Sequence, residues 1–269
     1  MGDQKKVAVV TGATGAIGRA IARNIATQPG FEVVLLCRNE AKARQAVNQI
    51  RQATGNTEVR YELADLSIQA SIAAFAERWQ DPLHVLVNNA AVTPRRREET
   101  AEWIERQFAT NVLGYFWMTQ ALAERLKESA PARVVNIASY WAGDLDLNDL
   151  EFKRRTYHNG EAYRQSKQAN RMLTVAFSER LKPYNVSINA CHPGDVNSRL
   201  SNALGFGGHE SPDEGAATPV WLATHPIGVE RTGKYFEHGR ERTCPFGRDR
   251  AAVEALYERC SQYTEAGGE

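Results

Sequence analysis

Cysteine is scarce in this chain. Its 269 residues hold four, Cys37, Cys191, Cys244 and Cys260. None forms a C-x-x-C pair and none has zinc-ligand spacing, which argues against a disulfide framework and against a bound metal. Long hydrophobic runs are missing as well. No apolar stretch approaches the ~20 residues that cross a bilayer, so no transmembrane segment is expected. Neither sign of charge is in excess, with 33 Lys and Arg against 32 Asp and Glu. Without a strongly basic field the chain is poorly equipped to hold a phosphate backbone, which excludes nucleic acid as the main partner. The opening residues show no secretory leader, and together with unpaired thiols this predicts a cytoplasmic protein. What remains is an ordinary globular composition, 42% hydrophobic and 24% charged, in a length that suits one large α/β domain over residues 1–269.

The first half alternates short apolar runs with helical patterns. Residues 7–10 read as a strand buried on both faces. Thr-Gly-Ala-Thr-Gly-Ala-Ile-Gly follows at 11–18, and 19–28 reads as a helix with Ile21 and Ile25 on one side. Strand, glycine turn and helix together form the setting in which backbone N–H groups and a helix N-terminus hold a pyrophosphate. Gly12 and Gly15 allow the tight turn and close approach, and Gly18 allows helix to pack on strand. Residues 31–36 form a second strand, with Arg38 just beyond it. A carboxylate near this place would bind the ribose 2′-hydroxyl of NAD, whereas arginine suits the 2′-phosphate of NADP. NADP(H) is therefore expected, NAD(H) less so. A helix over 40–53, a strand over 58–63, a helix opened by Asp65 or Ser67 as cap, and a strand over 83–87 ending in Asn88-Asn-Ala-Ala complete this half. The alternation predicts a doubly wound parallel sheet of about seven strands with helices on both faces.

In the second half, residues 100–127 read as two helices meeting near Asn111. A fifth strand over 133–139 ends in Ser139, a sixth spans 185–191 before His192-Pro-Gly, and 232–236 reads as a final edge strand. Between them, Tyr163-Arg-Gln-Ser-Lys167 sets a phenol and an ammonium four residues apart, on one face of a helix. A lysine so placed lowers a phenol pKa that is ~10 when unperturbed, and the phenol can then exchange a proton.

In combination these pieces resemble the short-chain dehydrogenase/reductase family: the glycine turn, Asp65-Leu66, Asn88-Asn-Ala-Ala91, Asn111, Ser139, Tyr163-x-x-Ser-Lys167 and Pro193-Gly194. The resemblance covers about residues 5–236. Leu36-Cys-Arg-Asn39, Tyr163–Asn170 and Ser211–Pro219 resemble its retinol dehydrogenase-like branch. What the resemblance implies is a Rossmann-type fold interconverting a carbonyl and an alcohol. Tyr163 would exchange the proton, Ser139 would bind the substrate oxygen, Lys167 would lower the phenol pKa and hold the nicotinamide ribose, and Asn111 would hold a relay water. It further implies cofactor contacts from Gly12, Thr14, Gly15, Ile17, Gly18, Arg38, Asp65, Leu66, Asn89, Ala90, Tyr163, Lys167, Pro193, Gly194 and Val196. Homodimers or homotetramers through the helices bearing Asn111 and Tyr163 are common in that family.

Three departures qualify the match. Ala16 stands where a middle glycine is usual, Ala91 where a glycine is common, and Asp195 where an apolar residue is common. The glycine pattern is also found in longer epimerases, so redox-assisted epimerisation stays open, as does an NADP-binding regulator or scaffold without turnover. Tyr140 and Trp141, next to Ser139, would line the substrate site and favour an apolar or aromatic substrate. Residues 195–212, with Gly205, Gly207 and Gly208, read as a lid. Arg95–Arg97 and Lys153–Arg155 read as a solvated face or as an attraction for an anion. A C-terminal helix is expected over 249–262, with 266–269 frayed.

Overall fold

The computed structural model describes residues 5–265, so the fraying expected at 266–269 lies outside the described residues. The chain alternates β1 (Lys6–Thr11), α1 (Ala16–Ala26), β2 (Phe31–Cys37), α2 (Glu40–Thr54), β3 (Val59–Leu63), α3 (Gln69–Arg78) and β4 (Val85–Asn88). A long helical stretch follows: α4 (Arg106–Phe108), a π-helical turn (Ala109–Leu113), α5 (Gly114–Ala121) and α6 (Ala123–Glu128). Then come β5 (Ala132–Ile137), α7 (Asn159–Leu181), β6 (Val186–His192), α8 (Arg199–Ala203), α9 (Pro212–Thr224), α10 (Ile227–Glu230), β7 (Lys234–Glu237), β8 (Arg240–Arg242) and α11 (Arg250–Glu265).

The eight strands form one sheet in the order β3-β2-β1-β4-β5-β6-β7-β8. All neighbours run parallel except β7 and β8. Alternation along each strand divides the core between two faces. Val7 and Val9 of β1 pack with α3, α5 and α7 residues such as Phe75, Phe116 and Phe177. Ala8 and Val10 face the other way, onto Ile21 and Ile25 of α1 and Ile50 of α2. Strand order reverses between β1 and β4, and a crevice opens there beyond the carboxyl ends of the strands. The glycine turn, the Asn88–Ala91 segment, Ser139 and Pro193-Gly194 all lie at that end of the sheet.

Four local expectations are corrected. Residues 232–236 do not form the sheet's edge: β7 is covered by β8, whose residues Arg240-Glu-Arg242 are too short, charged and exposed to announce a strand. Helix does not begin at Thr100 but at Arg106, where the buried Glu105 carboxylate accepts from the N–H groups of Gln107 and Phe108. The chain does not divide into two helices at Asn111; it widens into the π turn there and breaks at Leu122 instead. Asp65 and Ser67 do not cap α3. Asp65 accepts from the Ser67 N–H at 3.0 Å and hydroxyl at 2.7 Å, while Glu102 accepts from the first N–H groups of α3, at Gln69 and Ala70.

Helix α11 packs along α5 and α7. Val253, Leu256 and Cys260 are buried, and the Tyr257 ring lies 5.1 Å from Phe116 and 5.2 Å from Phe177. Ion pairs Arg180–Glu254 and Arg250–Glu179 fasten its first turns. The chain's own C-terminal helix thus lies on the helices bearing Asn111 and Tyr163. No helix among the described residues is long and apolar enough to cross a membrane, and no cluster of three metal-binding side chains occurs among them.

Candidate active site

The glycine turn is built by backbone. Gly12 has φ +63°, and a Cβ there would meet the Ala90 Cα at 2.8 Å. A Cβ on Gly18 would sit 2.5 Å from the Asn89 amide and from the Gly12 carbonyl. Turn and β4 end are therefore locked at contact distance, and only glycine fits both places. The Thr11 hydroxyl accepts from the N–H groups of Asn89 at 2.8 Å and Ala90 at 3.1 Å, and the Asn89 amide donates back to the Thr11 carbonyl at 2.8 Å. The Asn89 backbone N–H and side-chain nitrogen are both occupied in this lock, which leaves its side-chain oxygen outside it. Thr11, which sequence reasoning passed over, is the other half of the lock. Gly15 sits at the N-cap of α1, leaving the first-turn N–H groups, those of Ala16, Ile17 and Gly18, directed at the crevice. Arg38 lies just past β2, half open to solvent, 3.8 Å from Asp65. Thr14 stands on the turn and Leu66 is buried, its carbonyl packed against Gly114. This crevice, with small residues, a helix N-terminus and a cation at its far end, fits a dinucleotide.

On the other side of the switch point, α7 presents Tyr163 and Lys167 toward the end of β5. Ser139 stands beside the Tyr163 phenol and pulls its pKa down against the effect of burial, and the Ser139 oxygen accepts from the Trp141 N–H at 3.1 Å. The Lys167 ammonium donates to the Ile137 carbonyl at 2.8 Å and lies 5.5 Å from the centres of both the Tyr163 and Tyr115 rings. Tyr115 donates to that same carbonyl at 3.4 Å. It was missed in the sequence, although it stands one turn beyond Asn111.

Asn111 is fully buried on the π turn and clasps Val92: its oxygen accepts from the Val92 N–H at 2.8 Å and its nitrogen donates to the Val92 carbonyl at 3.0 Å. It also donates to Ser166 at 3.3 Å, and Ser166 donates to the Tyr163 carbonyl at 2.7 Å. The serine within Tyr-x-x-Ser-Lys thus couples the two helices.

The electrostatics correct one expectation. Burial pushes the phenol of Tyr163 up to about 12, with the Ser139 bond pulling it down and the Asp195 charge pushing it further up. Burial also pushes Lys167 down to about 7. Lysine and phenol do share a helix face, but burial is the largest influence on each, raising the phenol and lowering the lysine. The result is a neutral phenol held in a proton-donating state.

Around this centre, the Trp141 ring lies 5.9 Å from Tyr163 and 5.1 Å from Phe206. Tyr140 is half exposed and stands edge-on to His192 at 4.7 Å. Pro193 and Gly194 follow β6, and Val196 is buried, its side chain against Gly215 and its backbone bridged to Glu210. The segment 195–212 leaves and returns at one place: the Asp195 carbonyl accepts from His209 and Glu210, and Asn197 donates to the Glu210 carbonyl. Its far part carries α8 and Phe206.

The basic tripeptides have inward roles. The buried Asp149 carboxylate accepts from the backbone N–H groups of Lys153, Arg154 and Arg155, and Arg155 also donates to Gln165. Burial raises the Asp149 pKa, but these donors outweigh it and hold it below the usual carboxylate range. Arg97 donates to the Glu151 carbonyl and pairs with Glu99. Arg97 and Arg155 therefore pin the excursion between Ser139 and Tyr163 onto the body; Arg95, Arg96, Lys153 and Arg154 stay exposed.

Comparison with known proteins gives a consistent result. A family model described as short chain dehydrogenase matches residues 6–205. Mouse retinol dehydrogenase 12 is 38% identical over 245 residues, covering 86% of this chain and 77% of that protein. Among solved structures, an uncharacterized protein from Mycobacterium Paratuberculosis superposes with a TM-score of 0.81 at 26% identity, covering 97% of this chain and 94% of that one. A metagenomic short-chain oxidoreductase in complex with NADP superposes with a TM-score of 0.66 at 28% identity, covering 87% and 96%.

Proposed function

The chain belongs to the short-chain dehydrogenase family and is retinol dehydrogenase-like within it, and from that premise we propose that it is an NADP(H)-dependent carbonyl reductase or alcohol dehydrogenase in which Tyr163 exchanges the proton. The carbonyl/alcohol oxidoreductase class and a nicotinamide cofactor follow from family membership. The observation that carries the finer reading is the convergence of Ser139, Tyr163 and Lys167 at the carboxyl end of β5, beside the crevice of the glycine turn.

Bound along that crevice, the nicotinamide dinucleotide supplies or accepts the hydride. Gly12, Thr14, Gly15, Ile17, Gly18, Asp65, Leu66, Asn89 and Ala90 would hold it chiefly through backbone and close contact. Arg38 would hold a 2′-phosphate by a charge-assisted bond. Pro193, Gly194 and the Val196 backbone would border the reactive end. In the reductive direction the Tyr163 hydroxyl gives its proton to the carbonyl oxygen, and Ser139 fixes that oxygen and stabilises its developing charge. Lys167, held by the Ile137 carbonyl, would bind the ribose, and Asn111, engaged with Val92 and Ser166, would border a water relay toward it. Trp141, Tyr140 and Phe206 give the substrate side an aromatic surface, which favours an apolar body on the substrate. Residues 195–212 would act as its lid.

The test is NADPH consumption at 340 nm over a panel of aldehydes, ketones and quinones, run beside calorimetric binding of NADPH and NADH. Turnover with NADPH preferred supports the reading. Tight dinucleotide binding with no turnover across the panel would replace it with a binding protein that has lost catalysis.

A further inference from the structure

We propose that Asp195 is a specificity-determining residue, and that the site selects a carbonyl substrate whose apolar body carries a protonated amine seated against the Asp195 carboxylate. This rests on the reductase reading above and adds the charge of its substrate.

Asp195 follows Pro193-Gly194 directly, at the carboxyl end of β6, where the chain passes the reacting groups. Its carboxylate lies 3.9 Å from His192 Nε2, and the His192 ring meets the Tyr140 ring at 4.7 Å, beside Ser139; the Asp195 charge also raises the Tyr163 phenol. Its side chain is 38% exposed, so a ligand can reach it.

Among the described residues no lysine or arginine pairs with it. His192 is the closest base, with Nε2 3.9 Å from the carboxylate, but burial pushes that imidazole down to about 4 and leaves it neutral at pH 7. Arg171 stacks on Tyr235 with 3.3 Å between guanidinium and ring centre, Arg164 pairs with Asp144 at 2.6 Å, and Lys167 is bound to the Ile137 carbonyl.

The surrounding wall adds negative charge rather than removing it. The Glu210 carboxylate lies against Gly194 with one oxygen buried and without a partner, 4.0 Å from the exposed His238. Glu237 is engaged elsewhere, accepting from Tyr235 and pairing with Arg242 at 3.9 Å. The Trp141–Phe206 pair supplies aromatic surface beside the same centre, and such surface attracts cations as well as apolar groups. An uncompensated carboxylate beside aromatic rings repels anionic substrates and favours cationic ones.

The experiment compares two isosteric aryl ketones, one with a dimethylammonium group two carbons from the carbonyl and one with isopropyl in its place. The readout is the ratio of their kcat/KM values at pH 7 in the wild type, Asp195→Asn and Asp195→Leu. The wild type should favour the ammonium ketone by about tenfold or more, the size expected for one charge-assisted contact, and the ratio should fall toward unity in both variants. Added salt should reduce the wild-type ratio and leave the variants unmoved. A wild-type ratio near unity, or a ratio that survives both substitutions, would overturn the proposal. So would an equal fall for both ketones, which would mark Asp195 as a structural or cofactor-positioning group. Turnover of neither ketone by a wild type that turns over other members of the carbonyl panel would overturn this proposal alone; no turnover across the whole panel, with dinucleotide still bound, would contradict the reductase reading, and this inference would fall with it.

Discussion

The two sides of the switch point are built differently. On the side of β1 and β4 the crevice is made of backbone, and its side chains are absent or engaged with one another, as in the Thr11–Asn89 lock. On the side of β5 and β6 the centre is made of side chains, and their chemistry is set by burial: a phenol pushed up to about 12 and a lysine pushed down to about 7. Backbone sites depend on shape and should fail sharply when one Cβ is added. Side-chain sites depend on ionisation and should fail or respond along a pH axis.

The sharpest way to break this contrast is Gly12→Ala. The added Cβ meets Ala90 at 2.8 Å on a backbone with φ +63°. Strain of this kind costs about 1–3 kcal/mol before any clash is counted. Dinucleotide affinity should fall on the order of 100-fold by calorimetry. A loss below threefold would mean that the turn does not need its backbone shape.

The pH response of the other side comes next. Between pH 8 and 10 both Tyr163, at about 12, and Lys167, at about 7, are neutral. A raised phenol pKa keeps the proton on, so the donor form needed for carbonyl reduction stays full in that window. The phenolate needed for alcohol oxidation is a small fraction that grows about tenfold per pH unit. Reduction should therefore be flat from pH 8 to 10 while kcat/KM for oxidation climbs. Parallel profiles in the two directions would assign the proton to another group.

Arg38→Ala sharpens the comparison from within the backbone side, since Arg38 is the cation proposed to hold the 2′-phosphate there. Loss of a charge-assisted bond typically costs ~1.5–3 kcal/mol, so NADPH should weaken by roughly tenfold to a hundredfold. NADH should change little. Equal losses for both dinucleotides would remove the 2′-phosphate from the account.

The same contrast explains what could be read from sequence. The parallel strands announce themselves as continuous apolar runs, and the glycines and Tyr163-x-x-Ser-Lys167 stand at fixed local spacings, so the doubly wound sheet and the candidate residues at its carboxyl end are legible there. Contacts between distant segments leave no such trace. Asp149 gathering the N–H groups of Lys153–Arg155 looks like a basic surface run until the chain is folded. The capping of α3 by Glu102 joins residues about thirty positions apart. The position of α11 over Phe116 and Phe177 depends on which face of an amphipathic helix meets which partner. The ionisation of Tyr163 was misjudged for the same reason: spacing gives the neighbour, whereas burial decides the sign.

The central claim is that the buried Tyr163 hydroxyl delivers the proton to the substrate oxygen. Its most direct test is Tyr163→Phe, with turnover measured on a substrate that the wild type reduces and NADPH binding measured by calorimetry. The account predicts that kcat falls by about 10²–10⁴-fold while the dissociation constant for NADPH stays within a few fold. Near-normal turnover by the phenylalanine variant would contradict it.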